Sequence, residues 1–331
     1  MPPAIPPDLL EAWKQMYIGH TPAVENLMSK ILKRRDGFRS SRRPIVVLAL
    51  GPSGTGKTHL ARTLSEVLQT PLVELNLNGY TEANAVAGLR GTSPGYKGYN
   101  ESTGLSPLID HPQAVVLLDE VEKAHADVHK FFYDVFDNGS FKTANHQQVD
   151  CINATFILTS NAGQNYIDKD MVCTGKLTSS SSSSSSSSCA MDSRAIEQLK
   201  KHFEGDAFLN RIEAFYALAH FKDSDVLRIG EQILHRLQQD LCRDHGYLIG
   251  WTSGLLQQVL QESSFKTHDG VRALEREIGE DEVMDVIWQQ SSGLQKGQQI
   301  ALYRDPQAHQ TRIVSLPPRE TLVGAAATGP G

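Results

Sequence analysis

No stretch of this chain is long and apolar enough to read as a membrane-crossing helix; its clean apolar runs are strand-sized. Cysteine is scarce: there are four, at positions 151, 173, 189 and 242, and no C-x-x-C pair. Scattered in this way they are expected as reduced thiols, not as a disulfide frame. Positive charge is not in excess. A net charge of -6 argues against a generally nucleic-acid-binding surface, though not against a local basic patch. The opening MPPAIPPDLLEAWKQ has no apolar signal core and is not an Arg-rich, acid-free presequence. The cytoplasm is therefore the default expectation, with nucleus and mitochondrion left open.

What the chain does have is concentrated around one stretch. Residues 45–50 form an apolar, β-branched run of strand length, and Gly51-Pro52-Ser53-Gly54-Thr55-Gly56-Lys57-Thr58 follows at once. The spacing fits G-x-x-x-x-G-K-[ST], and a helical pattern over 59–69 completes the strand, glycine turn, helix context of a P-loop. Gly51, Gly54 and Gly56 allow the backbone to aim its N–H groups inward, and those groups with the helix N-terminus favour a polyphosphate. Lys57 is expected to reach the β/γ-phosphates of a nucleotide and Thr58 to hold Mg²⁺.

A length of 331 residues suggests two domains. Helical spacing predicts helices over 8–18 and 21–35. Near-continuous apolar runs predict strands at 72–77, 114–118 and 155–159, with a further strand at 214–220. Helices are expected at 82–89, 127–136 and 190–203. Strands alternating with helices give an α/β, doubly wound parallel sheet. Residues 171–189, with an unbroken serine tract at 179–188, read as a surface loop that buries nothing. From 222 the pattern becomes a smaller, mainly helical domain: helices over 224–245, 252–262 and 270–291 and a short closing strand at 300–303. The basic run 33–43 is open to two readings, a nucleic-acid arm or a solvated helix end and loop. One aromatic and no repeat favour the second.

Val115-Val116-Leu117-Leu118 ends in Asp119-Glu120. In P-loop nucleotidases a strand-end Asp holds Mg²⁺, and the neighbouring Glu120 can polarise an attacking water. Asn161, ending Thr159-Ser160-Asn161, can orient that water or can be a turn or cap residue. Arg211 and Arg272 are candidates to offset transition-state charge, although composition alone makes both surface arginines. His125 and His129 are four apart, as zinc ligands are, but lack a Glu between them at the second position and a third ligand, so a structural role is preferred.

Taken in order, these motifs resemble the Clp/heat-shock-protein branch of the AAA+ ATPases, closest to the second ATPase module of ClpB-type disaggregases. The resemblance runs from about Tyr17 to Arg304. Ile18-Gly19-His20 is similar to the family's adenine-side segment, and Asp119-Glu120-Val121-Glu122-Lys123-Ala124-His125 to its extended Walker B signature. Thr159-Ser160-Asn161 resembles sensor 1, Leu209-Asn210-Arg211-Ile212 the arginine-finger segment, and Gly270-Val271-Arg272 sensor 2. The resemblance implies a five-stranded parallel sheet in a large ATPase domain over 17–221 and a small helical lid over 222–304, while composition makes 1–16, with its Pro-rich start, a flexible segment and 305–331, with Pro, Gly and small residues, a disordered tail. It implies hydrolysis of ATP, with Mg²⁺, at the subunit interfaces of a hexameric homo-oligomer, Arg211 acting in trans and Arg272 in cis. Pro94-Gly95-Tyr96-Lys97-Gly98-Tyr99 resembles the pore loop, so that Tyr96, beside Lys97, would grip a polypeptide substrate.

Three features depart from the family. Lys97 stands where a small apolar residue is usual, and Asp137-Asn138-Gly139-Ser140 replaces Asp-Asp-Gly-Arg. No Ile-Gly-Phe/Leu loop for docking a peptidase is evident. The expectation is an unfolding or remodelling ATPase. The alternatives are an assembly factor or switch that does not thread, and an ATPase that acts on nucleic acid.

Overall fold

The computed structural model describes residues 8–38, 42–91, 103–174, 191–203, 206–252, 254–261, 271–290, 299–305 and 310–316. They fall into two compact units, Met1–His220 and Phe221–Gly331. No described helix is long and apolar enough to cross a membrane.

The first unit opens with α1 (Leu9–Met16) and α2 (Thr21–Arg35), then β1 (Ile45–Leu50), α3 (Lys57–Leu68) and β2 (Leu72–Asn76). Short turns of helix, α4 (Val86–Arg90) and α5 (Pro107–Asp110), lead to β3 (Val115–Asp119) and α6 (Ala126–Asn138). A small hairpin, β4 (Ser140–Lys142) with β5 (Gln148–Asp150), precedes β6 (Thr155–Ser160) and β7 (Met171–Thr174). The unit ends with α7 (Ser193–His202), α8 (Asp206–Leu209) and β8 (Ala214–Ala217).

The six-stranded sheet runs β2-β3-β6-β1-β8-β7. Its first five strands are parallel, as expected, and β1 lies between β6 and β8. All six residues of β1 are buried, so the strand cannot show apolar/polar alternation. The alternation appears in which layer each residue enters. Val46, Leu48 and Leu50 join Val116, Leu118, Phe156 and Leu158 under α6 and α7. Ile45, Val47 and Ala49 join Val115, Leu117 and Ile157 under α1, α2 and α3. Helices thus cover both faces, which is why all six residues of β1 are apolar.

Several expectations need correction. A sixth strand, β7, pairs antiparallel with β8, where a loop beginning at 171 was expected. Its alternation is complete but only four residues long: Cys173 enters one layer and Val172 packs against the other. Cys173 is also disulfide-bonded, so the reading of four reduced thiols does not hold for it. Cys151 and Cys242 carry free thiols, and burial, with the Asp150 charge second, pushes the Cys151 thiol up to about 12. Residues 9–16 are not a flexible leader. Leu9 and Trp13 are buried in the core, and the Trp13 indole N–H donates to Thr63 Oγ1 at 2.9 Å.

The second unit is α9 (Asp223–His245), β9 (Leu248–Trp251), α10 (Leu255–Gln261), α11 (Val271–Ile278), α12 (Glu280–Gln290), β10 (Gln299–Asp305) and β11 (Gln310–Leu316). It is mainly helical, as expected, around Leu234, Leu237, Leu274, Ile278 and Val283. The helix expected over 270–291 is two helices. At Gly279 the chain turns so tightly that a Cβ would stand 2.0 Å from the Glu275 carbonyl oxygen. The single closing strand is the centre of a three-stranded sheet, parallel to β9 and antiparallel to β11. The tail expected from 305 therefore contains a strand at 310–316. Its Thr311 and Ile313 are buried while Arg312 and Val314 face out. The serine tract at 179–188, Tyr96 and Lys97 lie outside the described residues.

The structural weight placed on α1 is testable. Trp13→Ala is expected to lower the unfolding free energy by about 3–5 kcal/mol in a urea titration, the usual cost of emptying a large aromatic site. A change within error of wild type would return residues 9–16 to a dispensable leader.

Candidate nucleotide site

The site lies at the carboxyl edge of the parallel strands, where β1, β3 and β6 all end. The loop after β1 is held from both sides. The Gly51 N–H donates to the Ser160 carbonyl at 3.3 Å, and a Cβ on Gly51 would stand 2.2 Å from the Leu218 carbonyl oxygen. No other residue type fits there. Gly56, at φ +81, is the left-handed residue from which α3 starts, so that the N-terminal end of the helix meets the loop.

Lys57 is 8% exposed, and its ammonium donates to the Gly51 carbonyl (2.7 Å), the Pro52 carbonyl (2.6 Å) and Asn161 Oδ1 (2.9 Å). The charge is therefore stored against the loop's own carbonyls and the end of β6. Thr58 Oγ1 donates to Asp119 Oδ2 at 3.2 Å, and the Thr159 hydroxyl donates to Asp119 Oδ1. The Glu120 N–H donates to Thr159 Oγ1 at 3.1 Å. Glu120 itself sits at φ +55, an uncommon conformation for a residue with a Cβ, and it turns the chain out of the sheet immediately after Asp119. Sequence reading brought Lys57, Thr58, Asp119, Glu120 and Asn161 forward as separate motifs; the fold gathers them at one edge.

A hydroxyl and a carboxylate side by side are hard oxygen donors, and they suit Mg²⁺, which usually keeps waters and takes few protein ligands. Gly51, where a Cβ would strike the Leu218 carbonyl oxygen, and the left-handed Gly56 let the loop turn tightly into the first turn of α3, which fits a phosphate chain. Among the described residues no group of three or more His, Cys, Asp or Glu side chains is placed to hold a metal. His129 Nε2 donates to the Val121 carbonyl at 2.8 Å, and its ring packs on Phe203 and Phe208. His125 Nδ1 accepts the Asp127 N–H at the start of α6. Both histidines serve the fold.

Ile18 and Gly19 come against the loop through their neighbour, because His20 Nε2 lies 2.9 Å from the Thr55 carbonyl oxygen. Tyr17 is buried between His20 and His59, and burial, with the Asp170 charge second, raises its phenol well above the usual range. Sequence reading singled out none of Glu122, Thr159 or Asp170 by role. Glu122 Oε1 accepts the Asn161 N–H at 3.1 Å and so fixes the end of β6. The signal was present, since Glu122 and Thr159 lie inside quoted motifs, but their part is to hold neighbours in place.

Arg211 is not gathered to this edge. It precedes β8, at the amino edge of the sheet. The six residues of β1 put roughly 20 Å between the two edges. Its guanidinium donates to Asp137 Oδ2 at 3.0 and 2.8 Å and to the Ala207 carbonyl at 2.7 Å, and lies 3.6 Å over the Tyr133 ring. Arg43 pairs with the other oxygen of Asp137 at 2.8 Å. Arg272 lies in the other unit, in the first turn of α11. Within the basic run, Arg34 donates to the Ile152 and Arg43 carbonyls and Arg35 pairs with Asp36, so those cations are engaged within the fold.

Residues 42–215 match the family described as AAA domain (Cdc48 subfamily). The chain belongs to that family. It is an AAA ATPase, and nucleotide binding comes with the family. It is 36% identical over 234 residues to the chaperone protein ClpB 1 of Nostoc sp., covering 68% of this chain and 25% of that one. It is 32% identical over 270 residues to the chaperone protein ClpB of Mycoplasma pneumoniae, covering 80% and 34%. The chain thus spans between a quarter and about a third of the length of these chaperones. A closed-state cryo-EM reconstruction of Hsp104 with ATPyS and FITC casein is similar at a TM-score of 0.76. It covers 94% of this chain and 52% of that one, and at 23% identity the likeness speaks for the fold alone.

Proposed function

We propose that this AAA ATPase hydrolyses ATP at the interfaces of a ring of identical subunits, as a hexamer, and uses the energy to remodel polypeptides. The observation that carries the reading is the division of the machinery between two edges of one sheet. Lys57, Thr58, Asp119 and Asn161 converge at the carboxyl edge, joined by the hydrogen bonds from Lys57 to Asn161 and from Thr58 to Asp119. Arg211 stands at the amino edge, held by Asp137. A guanidinium so far from its own loop can serve a nucleotide only on a neighbouring copy. A finger arginine supplied in this way is worth about 10³–10⁵ in rate.

On this reading the Lys57 ammonium leaves the loop carbonyls for the β- and γ-phosphates, an exchange of weaker acceptors for charged ones. Thr58 and Asp119 would hold Mg²⁺, which would supply positive charge against the phosphates. The carboxylate of Glu120 takes a proton from the attacking water, and the Asn161 amide orients that water. Asn161 is already tied to Lys57 by its side chain and to Glu122 by its backbone, so it can register whether the lysine has moved. Arg272 would reach the nucleotide from the second unit. Tyr96, flanked by Lys97, would face the channel and hold an extended chain. The cytoplasm is the setting this reading assumes.

A non-threading assembly factor or switch is the second reading. Lys97 and the Asn138-Gly139-Ser140 sequence, where the structure turns directly into the β4–β5 hairpin, favour it.

Three outcomes are expected. Glu120→Gln binds ATP as wild type in equilibrium dialysis while turnover falls about 10²–10⁴-fold, the range for losing a general base, whereas Lys57→Ala loses binding. Arg211→Ala and Lys57→Ala subunits, each inactive alone, regain turnover when mixed, because a mixed interface has one intact loop and one intact finger; absence of recovery argues against action in trans. Tyr96→Ala keeps its ATP turnover and loses remodelling of a labelled unfolded protein such as casein. If both chains remodel equally, the switch replaces the threading machine.

A further inference from the structure

His20 is 4% exposed, and both of its ring nitrogens face acceptors. Nε2 lies 2.9 Å from the Thr55 carbonyl oxygen, which has no proton to give. Nδ1 lies 2.7 Å from Asp170 Oδ1, an oxygen that already accepts the Ala219 N–H at 2.9 Å. The carbonyl can only accept, so Nε2 is the donor there, and the one ring ties that carbonyl to the Asp170 carboxylate. Around the ring stand the Asp170 carboxylate, the Tyr17 phenol ring at 6.1 Å and, across Tyr17, the His59 ring. The backbone is specified for the purpose as well, since Gly19 and His20 are consecutive left-handed residues at φ +82 and +45.

We propose that His20, bridging Asp170 and Thr55, is a positioning residue for nucleotide binding. The reason is peptide geometry. The Thr55–Gly56 peptide is planar and trans, so its carbonyl and its N–H point in opposite directions. Pinning the Thr55 carbonyl to His20 aims the Gly56 N–H the other way, into the phosphate cradle. Thr55 is itself 1% exposed, with its hydroxyl donating to the Pro52 carbonyl at 3.0 Å, so the peptide has no freedom to compensate. One ring thereby links the segment before α2, the P-loop and, through Asp170, the chain after β8. The inference rests on the nucleotide reading of the loop.

Two measurements on the 331-residue chain test it. In the wild type, nitrogen-15 NMR of the imidazoles should show a His20 ring N–H protected from solvent exchange by its bond to the Thr55 carbonyl. A ring N–H that exchanges as fast as that of an exposed histidine overturns the bridge. In steady-state ATP hydrolysis, His20→Ala should raise KM about tenfold, the order of one lost hydrogen bond to a charged group, while kcat changes by less. His20→Gln should weaken binding too, because its one amide N–H group cannot serve both acceptors without turning its oxygen on Asp170. Joining it to Asp170→Asn should restore binding, since two amides again supply a donor for every acceptor. A residue needed only to fill space would give neither the KM–kcat split nor the rescue. If His20→Ala does not fold, the glutamine pair and the wild-type spectrum decide. Lys57→Ala is the control. Wild-type ATP binding in Lys57→Ala would sink the loop reading itself, whereas loss there with a wild-type KM in His20→Ala sinks this inference alone.

Discussion

The Asp119 carboxylate is the point on which the rest of the site depends. It stands at the end of β3 and takes hydroxyl donors from Thr58, in the first turn of α3, and from Thr159, near the end of β6. Each donor arrives from a different element. They meet only because β3 and β6 run parallel and in register, with Leu118 opposite Leu158. A one-residue slip in that pairing would send Thr159 to the other side of the sheet and take its hydroxyl away from the carboxylate. The site is therefore a consequence of sheet register before it is a consequence of loop sequence.

Register in turn is set by burial. Each central strand gives alternate residues to two separate apolar layers, so a slip would not merely exchange inside for outside. It would put Phe156, which packs edge-on against Phe136, where the α3 face presents Leu60, Ala61 and Leu64. Replacing smaller side chains by larger ones in a packed layer costs about 1–3 kcal/mol each. Two layers specify register more tightly than one. This is why a chain of modest charge and few cross-links can hold a hydroxyl–carboxylate clasp in place, and why the covering helices, α1 among them, belong to the site's support.

How much of this could be read beforehand follows the same physics. The P-loop, the strand-end acids and the central strands were legible because each is a long or dense local signal: six apolar residues in β1, three glycines before Lys57 and Thr58. The edge strand β7 was not, because four residues next to a serine tract carry too little periodicity to outweigh their surroundings. Thr311 and Ile313 do alternate with exposed neighbours in β11, but that strand follows a proline and precedes a run of small residues whose composition suggests a tail. The break at Gly279 inside the helix expected over 270–291 was not legible, since its tight approach to Glu275 is a property of backbone geometry that sequence does not display. The partners of the site residues were hidden for another reason. That Asp170 faces His20, or Asp137 faces Arg211, depends on pairs 150 and 74 residues apart, which no local pattern encodes.

The Asp137 pair bears on how such a site would be controlled. Arg211 is not waiting in water. Two of its nitrogens bond one carboxylate oxygen, a third bonds a carbonyl, and its flat face covers Tyr133. Arg43, from the strap before β1, holds the other oxygen of the same carboxylate. A guanidinium that exchanged this cradle for phosphate oxygens on a neighbour would leave Asp137 with Arg43 still attached, so the carboxylate would not be stranded. The cost of release is reduced by the second arginine. Arg43 is continuous with β1, which ends in the chain's own P-loop, and α6, which carries Asp137 and Tyr133, begins just beyond Glu120. The carboxyl edge that carries the P-loop and the amino edge that carries the Arg211–Asp137 pair are thus joined by the strand and the helix between them, which gives a change at either edge a short path to the other.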